Sequence, residues 1–214
     1  MKKISIVLCV LMIFSFACTA FADGNYTVSD WAADEVKKAE ELRLIPAEMP
    51  NDLTGNITRR EFAETAVNLF EVLSKEDANF VECPFTDIRD DDARIMQAYT
   101  LGITMGVSET EFAPDLSITR EQLATMLLRT IVLSTYADPT KARDISGAKK
   151  FDDDNLISDY AKEATYFMSS CGIIKGVDET HFDPQNTATR EQAILLALRI
   201  YDSFEELRIN IKKE

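Results

Sequence analysis

Histidine occurs once, as His181, and cysteine four times in a chain of 214 residues. Two of those cysteines, Cys9 and Cys18, fall in an N-terminal stretch that reads as a removable leader. Cys83 and Cys171 are then the thiols of the mature chain. Two thiols and one imidazole make a poor zinc set. No Ser/His or Cys/His arrangement for nucleophilic catalysis stands out. One disulfide is allowed; two small buried thiols are the other reading. No apolar run approaches the ~20 residues of a membrane-spanning helix. Basic side chains are also scarce, with 23 Lys and Arg against 37 Asp and Glu and a net charge of −14. Such a chain has no global attraction for nucleic acid or an anionic membrane. An anionic partner has to be held by a local cluster of cations. What the chain does have is apolar content, 46%, enough for a real core and against disorder.

The leader has three parts: Lys2 and Lys3, an apolar stretch from Ile4 to Ala17, and Ala20-Phe21-Ala22 as a small-residue cleavage site. This is the order of a secretory signal peptide over residues 1–22. The rival is a lipid anchor on Cys18, three residues after Ser15. Removal of the signal leaves residues 23–214, with 21 basic and 37 acidic side chains and a charge of −16.

The remainder repeats itself. "GVSETEFAPDLSITREQ" (106–122) and "GVDETHFDPQNTATREQ" (176–192) are identical at ten of seventeen positions. Thr-Arg pairs at Thr58-Arg59, Thr119-Arg120 and Thr189-Arg190 lie 61 and 70 residues apart. Each follows the same order of signals. An amphipathic helix comes first: "WAADEVKKAEELRLI", "ARIMQAYTLGIT" and "YAKEATYFMSSCGII". Gly102 and Gly172 stand where a helix ends in the left-handed conformation. Arg43 stands there in repeat 1, so a different exit is expected. A loop follows, opened by Gly106 or Gly176, anchored by Phe112 or Phe182 and stiffened by Pro114 or Pro184. Repeat 1 has "PAEMPNDLTGN" instead. A second, greasier helix follows each Thr, and three of these are expected to pack together centrally. The linker "STYADPTKARDISGAKK" has room for a short strand or a helical turn, and residues 205–214 read as a frayed helix end. The expected units are 23–78, 79–140 and 141–204.

Thr58 with Glu61, Thr119 with Gln122 and Thr189 with Gln192 have capping-box spacing, which explains those residues as structure. The arginines between them are not so explained. A cation in the first turn opposes the helix dipole by ~0.3–1 kcal/mol. Either each pairs with an acid such as Asp115 or Asp183, or arginine and free helix amides together form an anion-binding pocket.

The aromatic-Ala helix, the Gly-Ile exit, the Gly-x-x-x-x-x-Phe-x-Pro loop and Ile-Thr-Arg-x-Glu/Gln, with "FTDI" at Phe85 and "FDDD" at Phe151, resemble the S-layer homology domain over residues ~28–203. The resemblance implies an all-α fold of three helix-loop-helix repeats packed as one pseudo-threefold module around a central helical bundle. It implies a secreted, extracellular protein of the cell wall or S-layer. There it would anchor non-covalently to an anionic, pyruvylated secondary cell-wall polysaccharide through grooves between repeats. Carried over by position, the contacts are Arg59, Arg120 and Arg190, with Trp31 and Tyr160 as aromatic walls and Asp87 and Asp152 on sugar hydroxyls. Guanidinium suits a carboxylate and an aromatic suits a sugar face. Repeat 2 lacks the aromatic-Ala pair, repeat 1 lacks the Phe-x-Pro loop, and Ala188 replaces Ile in repeat 3.

Other readings are weaker. The acids run as wet stretches, "RDDDAR" and "FDDDN", rather than as the paired carboxylates of a glycosidase, so no enzymatic activity, cofactor or metal is expected. "DDDNLISDYAKE" has Leu156 and Ile157 where an EF-hand loop needs an oxygen ligand and glycine. The alternative role is that of a surface-layer structural protein using its repeats for contacts with other chains or for self-association.

Overall fold

Six helices follow one another among the described residues: α1 (Ala33–Glu41), α2 (Arg59–Ser74), α3 (Ala93–Thr100), α4 (Arg120–Thr135), α5 (Asp159–Ser170) and α6 (Arg190–Lys212). A 3-10 turn at Asp154–Leu156 precedes α5. The computed structural model describes residues 26–135, 145, 148 and 150–212. The expected signal peptide, Cys18 and most of the 134–150 linker lie outside them. The described residues form no sheet, only isolated bridges, and the fold is all-α. None of their helices is long and apolar enough to cross a membrane. Cys83 and Cys171 are both free.

The second helices start as their caps dictate. Glu61 N donates to Thr58 Oγ1 at 3.2 Å and Thr58 N to Glu61 Oε2 at 2.9 Å. Thr119 with Gln122 and Thr189 with Gln192 make the same reciprocal pair at 3.2–3.4 Å. Each such cap is worth about 1 kcal/mol. α6 runs well past the point where the sequence suggests fraying, and Leu207 on its extension is buried.

The first helices end alike, which corrects the expectation for Arg43. Its φ of 60° is left-handed, as are the 74° of Gly102 and 70° of Gly172. Leu44, Ile103 and Ile173 each donate an amide at 2.9 Å to the carbonyl five residues back. All three are buried. Anchoring that apolar side chain outweighs the ~1–2 kcal/mol that a Cβ costs in this conformation.

Packing then interlocks the repeats. α3 lies on α2, α5 on α4 and α1 on α6, while α2, α4 and α6 contact one another. Thus each first helix covers the second helix of the preceding repeat, and the last repeat is covered by the first. The loops follow the same circuit. Arg59 N and Arg60 N donate to Leu116 O and Pro114 O; Arg120 N and Glu121 N to Asn186 O and Pro184 O; Arg190 N and Glu191 N to Gly55 O and Leu53 O, all at 2.9–3.1 Å. "PAEMPNDLTGN" therefore does the docking of the Phe-x-Pro loops without their phenylalanine.

Glycine is required differently at two places. At Gly102 a Cβ would meet nothing within 4 Å, so Gly102→Ala is expected to cost only backbone strain, about 1 kcal/mol. At Gly106, with φ +80°, the Cβ would lie 2.5 Å from Phe85 Cε1 and 2.6 Å from Glu111 O. Gly106→Ala is expected to cost about 3 kcal/mol, adding overpacking to strain. Urea unfolding of the two variants measures the difference; equal costs would mean the loop yields freely at Phe85.

Candidate functional site: two cationic clefts

The docking just described spends the first amides of α2, α4 and α6 on neighbouring carbonyls. The helix N-termini are therefore not open to an anion, and the pocket of free amides considered from the sequence is absent at these three sites. What remains is the guanidinium of each first-turn arginine.

Arg59 and Arg120 are held alike. Arg59 Nε donates to Phe112 O at 2.8 Å, and its guanidinium carbon lies 4.8 Å from the centroid of the Phe112 ring. Arg120 Nε donates to Phe182 O at 2.8 Å, with its guanidinium 5.2 Å from the Phe182 ring. Arg59 Nη1 also reaches Gln122 Oε1 at 3.3 Å. Burial depresses the pKa of both arginines, against the pull of Tyr160 and Asp87 on Arg59 and of Asp183 and Asp153 on Arg120. Among the described residues neither makes an ion pair with a carboxylate. Asp115 pairs with Arg60 instead, at 3.5 Å.

Arg190 is different. Its Nε and Nη2 donate to Glu61 Oε2 and Oε1 at 3.0 and 2.9 Å, and Nη1 to Asp52 O at 3.1 Å. The two side chains are 14% and 13% exposed, so the charge is met inside the fold. The capping residue decides this: Gln122 and Gln192 are neutral where Glu61 carries charge.

A second exchange lies beside it. Glu191 accepts from Ser29 N and Oγ at 2.9 and 2.8 Å, and Glu121 accepts from Ser158 N and Oγ at the same distances. At the corresponding joint Arg60 pairs with Asp92, which stands just before a helix four residues shorter than α5.

Two clefts result. One, of about 310 Å³, is lined by Arg59, Met105, Gln122, Arg129 and Tyr160 among others. The other, of about 240 Å³, is lined by Trp31, Arg120, Lys175, Gln192 and Arg199 among others. Each draws on all three repeats, and among the described residues no Asp or Glu lines either one. Trp31 and Tyr160 are exposed, at 58% and 56%. Tyr160 donates its hydroxyl to Glu121 Oε1 at 2.9 Å; burial and this bond push its pKa up to about 12.

Arg129 and Arg199 were not singled out from the sequence. They follow Arg120 and Arg190 by nine residues, and Asn68 holds that place after Arg59. That difference between repeats was the available signal. Arg129 Nη1 donates to Ile103 O at 3.3 Å and Arg199 Nη1 to Ile173 O at 3.4 Å.

The aspartates sit elsewhere. Asp87 accepts Phe112 N and Ala113 N at 2.9 and 2.7 Å. Burial raises its pKa but these amides outweigh it, leaving it lowered. The residue in the same role in repeat 3 is Asp153, which accepts Phe182 N and Asp183 N at 3.0 and 2.7 Å. Asp152 is exposed, and its amide donates to Thr180 O as Thr86 does to Thr110 O. Neither Asp87 nor Asp152 lines either cleft.

Residues 84–124 and 150–194 match the family model of the S-layer homology domain. These two segments are S-layer homology domains. The chain's relatives include the exoglucanase XynX of Acetivibrio thermocellus, 29% identical over 86% of this chain and 16% of that protein. An endoglucanase of Bacillus sp. is 30% identical over 81% of this chain and 18% of its own length. The surface-layer 125 kDa protein of Lysinibacillus sphaericus is 27% identical over 83% of this chain and 15% of its own length. The S-layer homology chain thus spans under a fifth of each of these relatives.

Proposed function

We propose that this S-layer homology protein attaches to the cell surface without catalysis, by holding an anionic, pyruvylated wall polysaccharide in the Arg59–Tyr160 and Arg120–Trp31 clefts. The three repeats, residues 23–78 included, act as one pseudo-threefold module, and export follows from a signal peptide over 1–22. One observation carries the reading: in a chain with net charge −14, both clefts are lined by arginine and an aromatic and by no acid. A guanidinium already fixed through Nε, with no ion pair to a carboxylate among the described residues, is a preorganised carboxylate receptor. The exposed ring beside it offers an apolar face to the sugar. Arg190, neutralised by Glu61, holds the module together rather than the glycan.

Sedimentation with purified walls tests this. The chain is expected to co-sediment with walls that bear their polysaccharide and to stay in solution once the polysaccharide is stripped. Retention unchanged by stripping would favour contacts with wall proteins or self-association.

A further inference from the structure

The two clefts share a plan but differ in charge. At the position before the loop glycine, Met105 precedes Gly106 and Lys175 precedes Gly176. Each lines its own cleft. The Trp31 cleft therefore gathers Arg120, Lys175 and Arg199, while the Tyr160 cleft gathers Arg59 and Arg129 beside an exposed Met105. The carboxylate beside each aromatic is the same in kind: Glu121 accepts from Ser158 N and Oγ and Glu191 from Ser29 N and Oγ, Tyr160 adding its hydroxyl to Glu121.

Resting on the reading above, we infer that Lys175 makes the Trp31 cleft selective for a sugar unit bearing two negative charges over one bearing a single charge. The Tyr160 cleft, with Met105 in that place, lacks this preference. Arg120 is pinned through Nε to Phe182 O and presents a fixed fork. Lys175 adds a mobile point charge on a flexible stem, suited to whichever second oxygen the unit carries.

The chain's single tryptophan makes the test site-specific, because Trp31 fluorescence reports on one cleft. The probes are glucose 6-phosphate, a dianion at pH 8, and glucuronate, a monoanion. Glucose 6-phosphate is expected to titrate the Trp31 signal with about tenfold higher affinity. Lys175→Met is expected to weaken both probes, glucose 6-phosphate the more, and to bring the two within about threefold of each other. In a Trp31→Phe/Tyr160→Trp chain the reporter sits in the other cleft, where the probes are expected to bind alike, and Met105→Lys is expected to create the preference there. Equal affinities in the wild-type chain, or a preference that survives Lys175→Met, overturn the inference. If Trp31 answers to neither probe while wall retention still depends on Arg120, the charge selectivity falls and the anchoring reading stands. If wall retention is also indifferent to Arg120, both fall.

Discussion

Arg60→Glu is expected to be among the most damaging single substitutions in this chain, although by local rules it improves the helix. Glutamate in the first turn of α2 would suit the dipole by ~0.3–1 kcal/mol, and Glu121 and Glu191 occupy that position in α4 and α6. The opposing effect is larger. Asp92, whose side chain is 2% exposed, takes its charge partners from Arg60 and Arg89. Burial raises its pKa, and bonds from Arg89 and Arg60 outweigh that, leaving it lowered and the residue ionised. Removing a partner from a buried pair costs about 3–5 kcal/mol, and a second carboxylate adds repulsion. The expected drop in the thermal midpoint is roughly 10 °C or more. Adding Asp92→Ser recreates the glutamate–serine contact of the other joints and is expected to recover at least half the loss. A double variant as unstable as the two singles summed would mean that the joints are not interchangeable.

Losing both cleft arginines is expected to abolish wall binding with little harm to the fold. A charge-assisted hydrogen bond contributes about 1.5–3 kcal/mol, so one arginine is worth roughly ten- to a hundredfold in affinity. Arg59→Gln/Arg120→Gln is expected to leave no measurable retention. Stability should move by only about 1–2 kcal/mol, because losing the bonds to Phe112 O and Phe182 O is offset by relief of a desolvated charge. Arg120→Lys is expected to fall between: it keeps the charge but cannot hold the carbonyl and offer a flat fork together. Helix content by circular dichroism separates lost binding from lost folding.

Much of this fold was legible because its signals are local. A capping box needs only four consecutive residues, and Thr58–Glu61, Thr119–Gln122 and Thr189–Gln192 could be read off directly. The left-handed exit at Arg43 was not legible: its cause is the burial of Leu44, a tertiary effect that overrides the penalty on a side chain. Choosing between Asp152 and Asp153 required the register of Phe151 against the Phe182 loop, which neighbouring aspartates do not reveal. The clefts were half visible. Arg59, Arg120, Trp31 and Tyr160 carried recognisable neighbours, but their assembly from all three repeats depends on the circuit of loops. The deviations of repeat 1 held more than was taken from them. Arg60 stands where α4 and α6 carry glutamate and pairs with Asp92, and Glu61 stands where they carry glutamine and pairs with Arg190, so that repeat 1 has an ion pair at each of its two joints.

The central claim is that two of the three first-turn arginines serve the glycan and the third serves the fold. Wall-binding affinities of Arg59→Gln, Arg120→Gln and Arg190→Gln, compared below the melting point of each, test it most directly. The first two are expected to weaken binding by about tenfold or more. The third is expected to bind as the wild-type chain does while melting earlier, since it strands Glu61. Equal losses of affinity in all three, or in none, would contradict the account.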